Sequence, residues 1–281
     1  ITNEIMDGGL GEGELGVVVA PAGVGKTWLL QSIAAGALKR GFTVVHYTLE
    51  LNETYVGLRY DTVFSGITTQ NIKFQKDEVK KIIDSIEGKM IIKYYPTRAA
   101  TVNTLSAHLK QLELKNIKPD MVIVDYADIL RDNSGMREVR HQLGAVYEDL
   151  RGLAGEFKVP IWTASQANRS ALEEEVIEAT KIAEAYSKIM IADFVLSISR
   201  KAEDKLSHTA RCHIIKNRFG IDGVTYPMSM NTNLGQIEIY ESTTQPGKEQ
   251  QGKMDNSEEF KRQLLASKYN DMKQSDVDGF E

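Results

Sequence analysis

The sequence predicts an α/β fold in which helices cover both faces of a doubly wound, mostly parallel sheet. Short apolar runs typical of buried strands, such as VVV at 17–19 and MVIV at 121–124, alternate with segments of helical spacing along most of the chain. Several of these runs end in a polar or acidic residue. In such folds ligands bind at the carboxyl ends of the strands, so we expect the functional site at that edge.

The first strand leads into the most informative stretch, residues 15–30, which reads LGVVVAPAGVGKTWLL. The run of valines stops at a glycine-containing turn, and Lys26-Thr27 then opens a helical segment. Strand, glycine loop, Lys-Thr and helix form a phosphate-binding P-loop. Its backbone amides and the positive end of the helix favour an anion. The general pattern begins with glycine, whereas this loop begins with Ala20.

This motif predicts a nucleoside triphosphate site. Lys26 reaches the β- and γ-phosphates, and the Thr27 hydroxyl ligates Mg²⁺. The predicted nucleotide-binding residues of the loop and first helical turn are Ala22, Gly23, Val24, Gly25, Lys26, Thr27 and Trp28.

The remaining elements follow by periodicity. We expect helices at 53–64, 76–87, 101–115 and 137–157, and a helix-prone segment at 173–190. We expect strands at 43–49, 90–95, 121–125, 160–165, 193–199, 209–215, 224–230 and 236–240, of which the last three are antiparallel closing strands.

The domain prediction is one α/β domain over 1–242 and a polar linker with a tail over 243–281. The tail contains an amphipathic helix at about 257–272, with Phe260, Leu264, Leu265 and Tyr269 along one face. Two interpretations of the tail stay open, a disordered end and a docking helix for a partner protein.

Composition limits the classes of function. The chain has 281 residues, 42% hydrophobic and 26% charged, which is typical of a soluble globular protein. A net charge of −5 means that any nucleic-acid contacts are local. Without a membrane-length run or a signal peptide, we predict no membrane association and a cytoplasmic location. The single cysteine, Cys212, fits a reducing compartment and a buried strand position. The chain begins at Ile1, not Met, which leaves room for an upstream domain.

Three polar residues at strand ends supply chemistry around the phosphate. Asp125 closes an apolar strand and suits a carboxylate that holds Mg²⁺ through water. Glu50 follows the second strand, where a carboxylate polarises the attacking water. Gln166 ends another strand, and its neutral amide suits a sensor of the γ-phosphate. The plain alternatives are a turn aspartate, a solvated or capping glutamate and an ordinary strand-end glutamine.

Two cations, Lys216 and Arg218, stand two residues apart near a late strand end and project to the same side. They lie far along the chain from the P-loop, so they suit a neighbouring subunit's nucleotide. An arginine supplied in trans stabilises transition-state charge. The alternative is a solvated basic hairpin.

The motifs together resemble the ATPase domain of DnaB-type hexameric replicative helicases, closer to the versions of large tailed phages than to the bacterial protein. The resemblance covers about 7–241 and rests on GGL and GEL, APAGVGKT, YTLEL, MVIVDYADIL, IWTASQANRS, IADFVLS and IIKNRFG in this order. In that family the Ala20 position is expected.

The resemblance implies a RecA-like core, a homohexameric ring, and ATP with Mg²⁺ as cofactors. It implies Lys26 and Thr27 on phosphate and Mg²⁺, Glu50 as catalytic base and Asp125 as the acidic residue of the Mg²⁺ site. It further implies Gln166 as γ-phosphate sensor, and Lys216 with Arg218 as the pair inserted into the adjacent site. Arg59 matches a family arginine to which no role is assigned.

The family also implies translocation on single-stranded DNA, primase and helicase-loader partners, 5′→3′ movement and, for a phage protein, the host cytoplasm. Two stretches match its DNA loops, 131–140 and about 183–188. Arg137, Arg140 and Lys188 are candidates for backbone phosphates. Tyr186 either stacks a base or packs within a helix.

Two other functions remain open at this point. One is a RecA-family recombinase filament, in which ATP switches a DNA-coating polymer that pairs strands. The other is a signalling ATPase of the circadian-clock type, which needs no DNA.

Overall fold

The computed structural model describes residues 5–6, 8–133, 138–168, 171, 174, 176–177 and 186–241, with only the backbone at 139, 140, 186 and 187. Within these residues one nine-stranded sheet has the order β3-β2-β4-β5-β1-β6-β7-β8-β9. Its strands are β1 Leu15–Ala20, β2 Thr43–Thr48, β3 Lys89–Tyr94, β4 Met121–Asp125, β5 Ile161–Gln166, β6 Phe194–Ser199, β7 Thr209–Asn217, β8 Thr225–Asn231 and β9 Gln236–Ile239.

The helices occupy most of the predicted segments. They are α1 Lys26–Leu38, α2 Glu53–Ser65, α3 Lys76–Asp84, α4 Val102–Leu114, α5 Val139–Phe157, α6 Tyr186–Ile191 and α7 Ala202–Ser207, with 3₁₀ turns at Ile72–Phe74 and Ala127–Ile129. Of the predicted segment 173–190, only the part in α6 is described as helix.

Strands β1 to β6 pair in parallel, and β7 to β9 add in antiparallel order. The predicted parallel sheet with antiparallel closing strands is therefore confirmed. Because the carboxyl ends of parallel strands meet at one edge, Ala20 of β1 lies opposite Gln166 of β5, and Thr48 of β2 opposite Asp125 of β4.

Two hydrophobic clusters cover the faces of the sheet. Leu15, Val17 and Val19 of β1 belong to a cluster with α4 and α5, whereas Val18 and Ala20 pack with α1 and α2. Successive side chains of a strand point to opposite faces, so a continuous apolar strand needs helices on both sides. Cys212 is buried, as predicted, and burial raises the pKa of its thiol to about 12.

Helix α7 was not predicted. It has six residues, and its Asp204 carboxylate accepts a hydrogen bond from the backbone N–H of Lys201 at 2.8 Å and pairs with Arg211 of β7 at 2.9 Å. A helix this short has little intrinsic stability. Its tertiary partner therefore stabilises it, and no local pattern reveals that partner.

The predicted tail, 243–281, lies outside the described residues. In the part of the chain that the structure describes, none of the helices has the length and apolarity that a membrane crossing requires.

His46 of β2 gives a stability prediction. It is fully buried, its Nδ1 lies 2.8 Å from the Tyr60 hydroxyl, and burial lowers its pKa from 6.5 to about 3. Between pH 6.5 and about 3, His46 binds a proton in the unfolded chain but not in the folded chain. The free energy of unfolding therefore decreases as the pH falls below about 6.5. Lowering the pH from 7 to 5 should cost about 2 kcal/mol through this residue.

Urea unfolding at the two pH values checks this expectation. His46→Gln should show a smaller loss of stability than the wild type, and the exposed His141→Gln should match the wild type. Equal losses in all three proteins would contradict the assignment to His46.

Candidate nucleotide site

The P-loop joins β1 to α1 through residues 21–25. Gly23 and Gly25 have positive φ values of 72° and 122°, and a Cβ on Gly25 would collide with the side chain of Met230. The positive φ favours glycine at Gly25, whereas the collision could be relieved by a shift of the flexible Met230 side chain. Among the residues that the structure describes, no side chain caps the amino end of α1. The free amides of this helix end are the donors that bind an anion.

Lys26 spans the loop. Its Nζ donates to the backbone oxygens of Ala20 at 3.0 Å and Pro21 at 3.1 Å, and lies 5.9 Å from the centre of the Tyr126 ring. Burial lowers the pKa of Lys26, and the carboxylates of Asp125 and Glu50 oppose that shift. Among the described residues the ammonium group donates to two neutral carbonyls. Phosphate oxygens would be stronger, charge-assisted acceptors for the same group.

Asp125 lies at the end of β4 with 2% of its surface exposed. Burial raises the pKa of Asp125 to about 6, although a hydrogen bond with the Thr27 side chain partly offsets this rise. Its Oδ1 is buried and lacks a hydrogen-bond partner among the described residues. Mg²⁺ prefers one or two carboxylates, a hydroxyl, waters and phosphate oxygens. An orphaned carboxylate oxygen beside a threonine hydroxyl fits that ion.

Glu50 and Gln166 line the same cleft of about 470 Å³ as Lys26, Thr27 and Asp125. Glu50 is exposed, just beyond the end of β2. Gln166 is half-buried, and its backbone N–H donates to the Asp128 carboxylate at 3.0 Å. The structure therefore brings together all five polar side chains that the sequence predicts for one site.

Other residues of the cleft had no assigned role or escaped prediction. The Arg59 guanidinium lies 5.1 Å from the centre of the Trp28 ring. Burial lowers the pKa of Arg59, whereas the negative charges of Asp125 and Glu50 act to raise it. The cleft is also lined by Tyr126, Arg200, Lys205, His208, Thr232 and Asn233. Arg200 directly follows β6 and was detectable as a polar strand end. Tyr126 directly follows Asp125 of β4. Lys205 and His208 come from α7 and the residue after it, and Thr232 and Asn233 from the β8–β9 turn, segments that carry no local signal for a ligand.

Lys216 and Arg218 lie at the opposite edge of the sheet. Asn217 of β7 pairs with Phe194 of β6, which pairs with Gly16 near the start of β1. The P-loop begins only after Ala20, about 13 Å further along β1 at 3.3 Å per residue. The basic pair and Lys26 are thus not brought together within one chain.

Local partners hold the basic pair in place. Arg218 Nη1 lies 2.7 Å from Asp193 Oδ1, and Lys216 Nζ donates to the backbone oxygens of Ile189 at 2.9 Å and Met190 at 2.8 Å. Burial, followed by the nearby charge of Arg218, lowers the pKa of Lys216.

The predicted DNA contacts are mostly outside the described residues. That is so for Arg137 and for the side chains of Arg140 and Tyr186. Lys188 requires a correction, because its side chain is 3% exposed and its Nζ pairs with Asp128 at 2.8 Å. In this arrangement the ammonium group is paired with the half-buried Asp128 carboxylate and does not face a DNA phosphate.

Comparison with known proteins identifies relatives over most of the chain. A family model described as the DnaB-like helicase C terminal domain matches residues 3–236. The DnaB-like replicative helicase of Enterobacteria phage T4 is 30% identical over 237 residues, which cover 78% of this chain and 49% of that protein. The replicative DNA helicase DnaB of Helicobacter pylori is 23% identical over 168 residues, covering 58% and 34%. The chain thus spans about half or less of the length of these relatives.

Solved structures confirm the RecA-like fold. A chain described as an ATPase domain matches with a TM-score of 0.72 at 19% identity, covering 84% of this chain and 88% of that one. A DnaB-like replicative helicase, described with its interactions with primase, matches with a TM-score of 0.71 at 18% identity, covering 83% and 59%.

Proposed function

Because this chain belongs to the DnaB-like helicase C-terminal domain family, we propose that it is the ATP-driven motor of a replicative DNA helicase. Its substrates are ATP and DNA, and it works as a homohexameric ring. One observation carries the proposal: Lys26 and Arg218 lie at opposite edges of the sheet. A complete site then requires two subunits, head to tail, and repeated heterologous contacts of this kind form a ring when the rotation between subunits closes.

In the proposed mechanism the P-loop amides and Lys26 hold the β- and γ-phosphates. Glu50 orients the attacking water and accepts its proton, and the Gln166 amide bonds the γ-phosphate. Arg218 and Lys216 of the neighbouring subunit offset charge that develops on the transferred phosphoryl group. Thr27 and Asp125 would hold Mg²⁺, which when bound neutralises phosphate charge.

The ring translocates on single-stranded DNA, 5′→3′ on the encircled strand, and separates the duplex ahead. The DNA contacts proposed from the sequence are Arg137, Arg140 and Tyr186. Primase and a helicase loader are the proposed protein partners, in the cytoplasm of the host cell if the protein is phage-encoded. One solved relative is described with primase interactions, which supports the first of these.

Unwinding of a forked duplex tests this function. The full chain should open the fork with ATP, and Lys26→Ala should abolish opening because the γ-phosphate loses its lysine. Lys39→Ala, at the other end of α1, is the matched control and should unwind like the wild type.

The result also discriminates between the functions. A wild type that pairs homologous strands and never opens the fork would favour a recombinase filament. A wild type that hydrolyses ATP without salt-dependent binding to single-stranded DNA would favour a signalling ATPase. Either result would contradict the helicase proposal.

A further inference from the structure

Helix α6 is tied at its amino-terminal half to the strand that carries Gln166. The Lys188 Nζ donates to Asp128 Oδ1 at 2.8 Å and to Ser165 Oγ at 3.1 Å, and lies 5.4 Å from the centre of the Tyr147 ring. Both charged side chains are shielded, Lys188 with 3% and Asp128 with 14% exposure. An ion pair with so little solvent fixes α6 to this part of the sheet.

Asp128 passes this connection to the proposed γ-phosphate sensor. Its Oδ2 accepts the backbone N–H of Gln166 at 3.0 Å and the Ser165 hydroxyl at 3.2 Å. The Gln166 side chain lines the nucleotide cleft. One carboxylate therefore bonds both to the sensor backbone and to α6, so a displacement of Gln166 changes the position that Lys188 prefers.

The other end of α6 is held by the basic pair at the far edge of the sheet. Lys216 Nζ bonds to the carbonyl oxygens of Ile189 and Met190 in the last turn. Two residues after the helix, Asp193 accepts Arg218 at 2.7 Å, and the Arg218 backbone N–H donates to the Asp193 carbonyl at 3.1 Å.

We propose that α6 mechanically links two nucleotide sites of the ring, with Lys188 as its positioning residue. One end responds to Gln166 in the subunit's own site, and the other positions Lys216 and Arg218 for the neighbouring site. This proposal rests on the proposed function.

The chemistry of the Lys188–Asp128 pair favours a link over a purely structural role. Apolar residues of similar volume often replace a buried ion pair without loss of stability. Stability alone therefore does not explain the pair. Unlike an apolar contact, an ion pair has a preferred geometry, so it fixes the position of one end of α6, and a rigid helix transmits a displacement of that end to the other. Coupling has a physical basis only where such an element is biased from both sites.

The test neutralises the pair with Asp128→Asn/Lys188→Met in the full chain. We expect unwinding of the fork to fall about tenfold, whereas ATP hydrolysis without DNA stays within about threefold of the wild type. The control Lys110→Met/Glu156→Gln removes the same charges from a 2.8 Å ion pair between α4 and α5. It should unwind like the wild type. A wild type and control that fail to unwind would reject the proposed function, whereas only the difference between the two variants tests the link.

A second comparison separates positioning from folding. In a Gln166→Ala background, neutralising the pair should add little further loss of unwinding, because Lys188 acts through Gln166. Two results would overturn the proposal. One is a loss of unwinding from neutralising the pair that multiplies with the loss from Gln166→Ala. The other is that the Asp128→Asn/Lys188→Met variant unwinds as well as the Lys110→Met/Glu156→Gln control. If thermal melting shows the double variant unfolded, Lys188→Arg replaces it, since it keeps both charges but changes the geometry of the pair with Asp128. The same two criteria then decide.

Discussion

Arg218→Ala is expected to lower ATP hydrolysis by about 10³-fold or more, because under the proposed function the neighbouring site would lose the cation that stabilises its transition state. The fold should survive. Asp193 keeps the Arg151 guanidinium at 2.9 Å and the Leu15 backbone N–H at 3.0 Å when Arg218 is removed. Steady-state phosphate release and thermal melting measure the two effects separately.

Mixing two inactive variants tests whether the residue acts in trans. Lys26→Ala lacks its own P-loop lysine and Arg218→Ala lacks its arginine, so each is inactive alone. In rings assembled at random from equal amounts, about one quarter of the interfaces combine an intact lysine with an intact arginine. ATP hydrolysis should therefore return to about one quarter of the wild-type rate.

Arg151→Ala is the matched control, since Arg151 is the second guanidinium on the Asp193 carboxylate. It should hydrolyse ATP within a few-fold of the wild type. An equal loss in Arg151→Ala, or no recovery on mixing, would show that Arg218 acts through Asp193 within its own chain and that the composite site is wrong.

Asp125→Asn should have opposite effects on activity and stability. ATP hydrolysis should fall about 100-fold, because a neutral amide holds Mg²⁺ poorly. Free of nucleotide and Mg²⁺, the variant should be more stable than the wild type at pH 7.5. The buried Asp125 carboxylate has an oxygen without a partner among the described residues, and ionising it in that place is unfavourable.

The pH dependence follows from the pKa of Asp125. Burial raises it from 3.8 to about 6. The folded state therefore holds a proton more tightly than the unfolded state, and stability is lost as the pH rises through about 4 to 6. The variant escapes this loss, so its advantage should be about 1–3 kcal/mol at pH 7.5 and close to zero at pH 4.

Urea unfolding at both pH values measures the difference. A variant less stable than the wild type at pH 7.5 would show that Asp125 is a structural residue. Such a division of effects is typical of residues whose environment serves a ligand at the expense of stability.

The order of elements and the local chemistry of the site could be predicted from the sequence. Residues 15–30 combine a strand, a glycine turn and a helix start, and the backbone requirements of a phosphate loop fix each of them. Asp125, Glu50 and Gln166 end strands of one parallel sheet, so topology alone brings them to one edge. Their assigned roles stay predictions.

Lys188 shows where sequence reasoning fails. A lysine near a predicted DNA loop suggests a phosphate contact, but the structure gives it a carboxylate 60 positions away in the chain. Helix α7 escaped prediction for the same reason, because Arg211 of β7 stabilises it from outside the segment. Both outcomes depend on contacts that no local pattern encodes.

The sequence by itself determined the α/β order of this protein, its phosphate loop and the acidic and amide residues around it, because hydrophobic period, glycine position and strand ends are local properties. Only the tertiary structure decided which cations face which partners. It separated Lys216 and Arg218 from Lys26 by the length of a central strand and buried Lys188 against Asp128. The physical reason is that a charged side chain pairs with the nearest opposite charge or carbonyl oxygen in space. The order of the strands in the sheet, and not the separation of residues along the sequence, decides which groups lie close together.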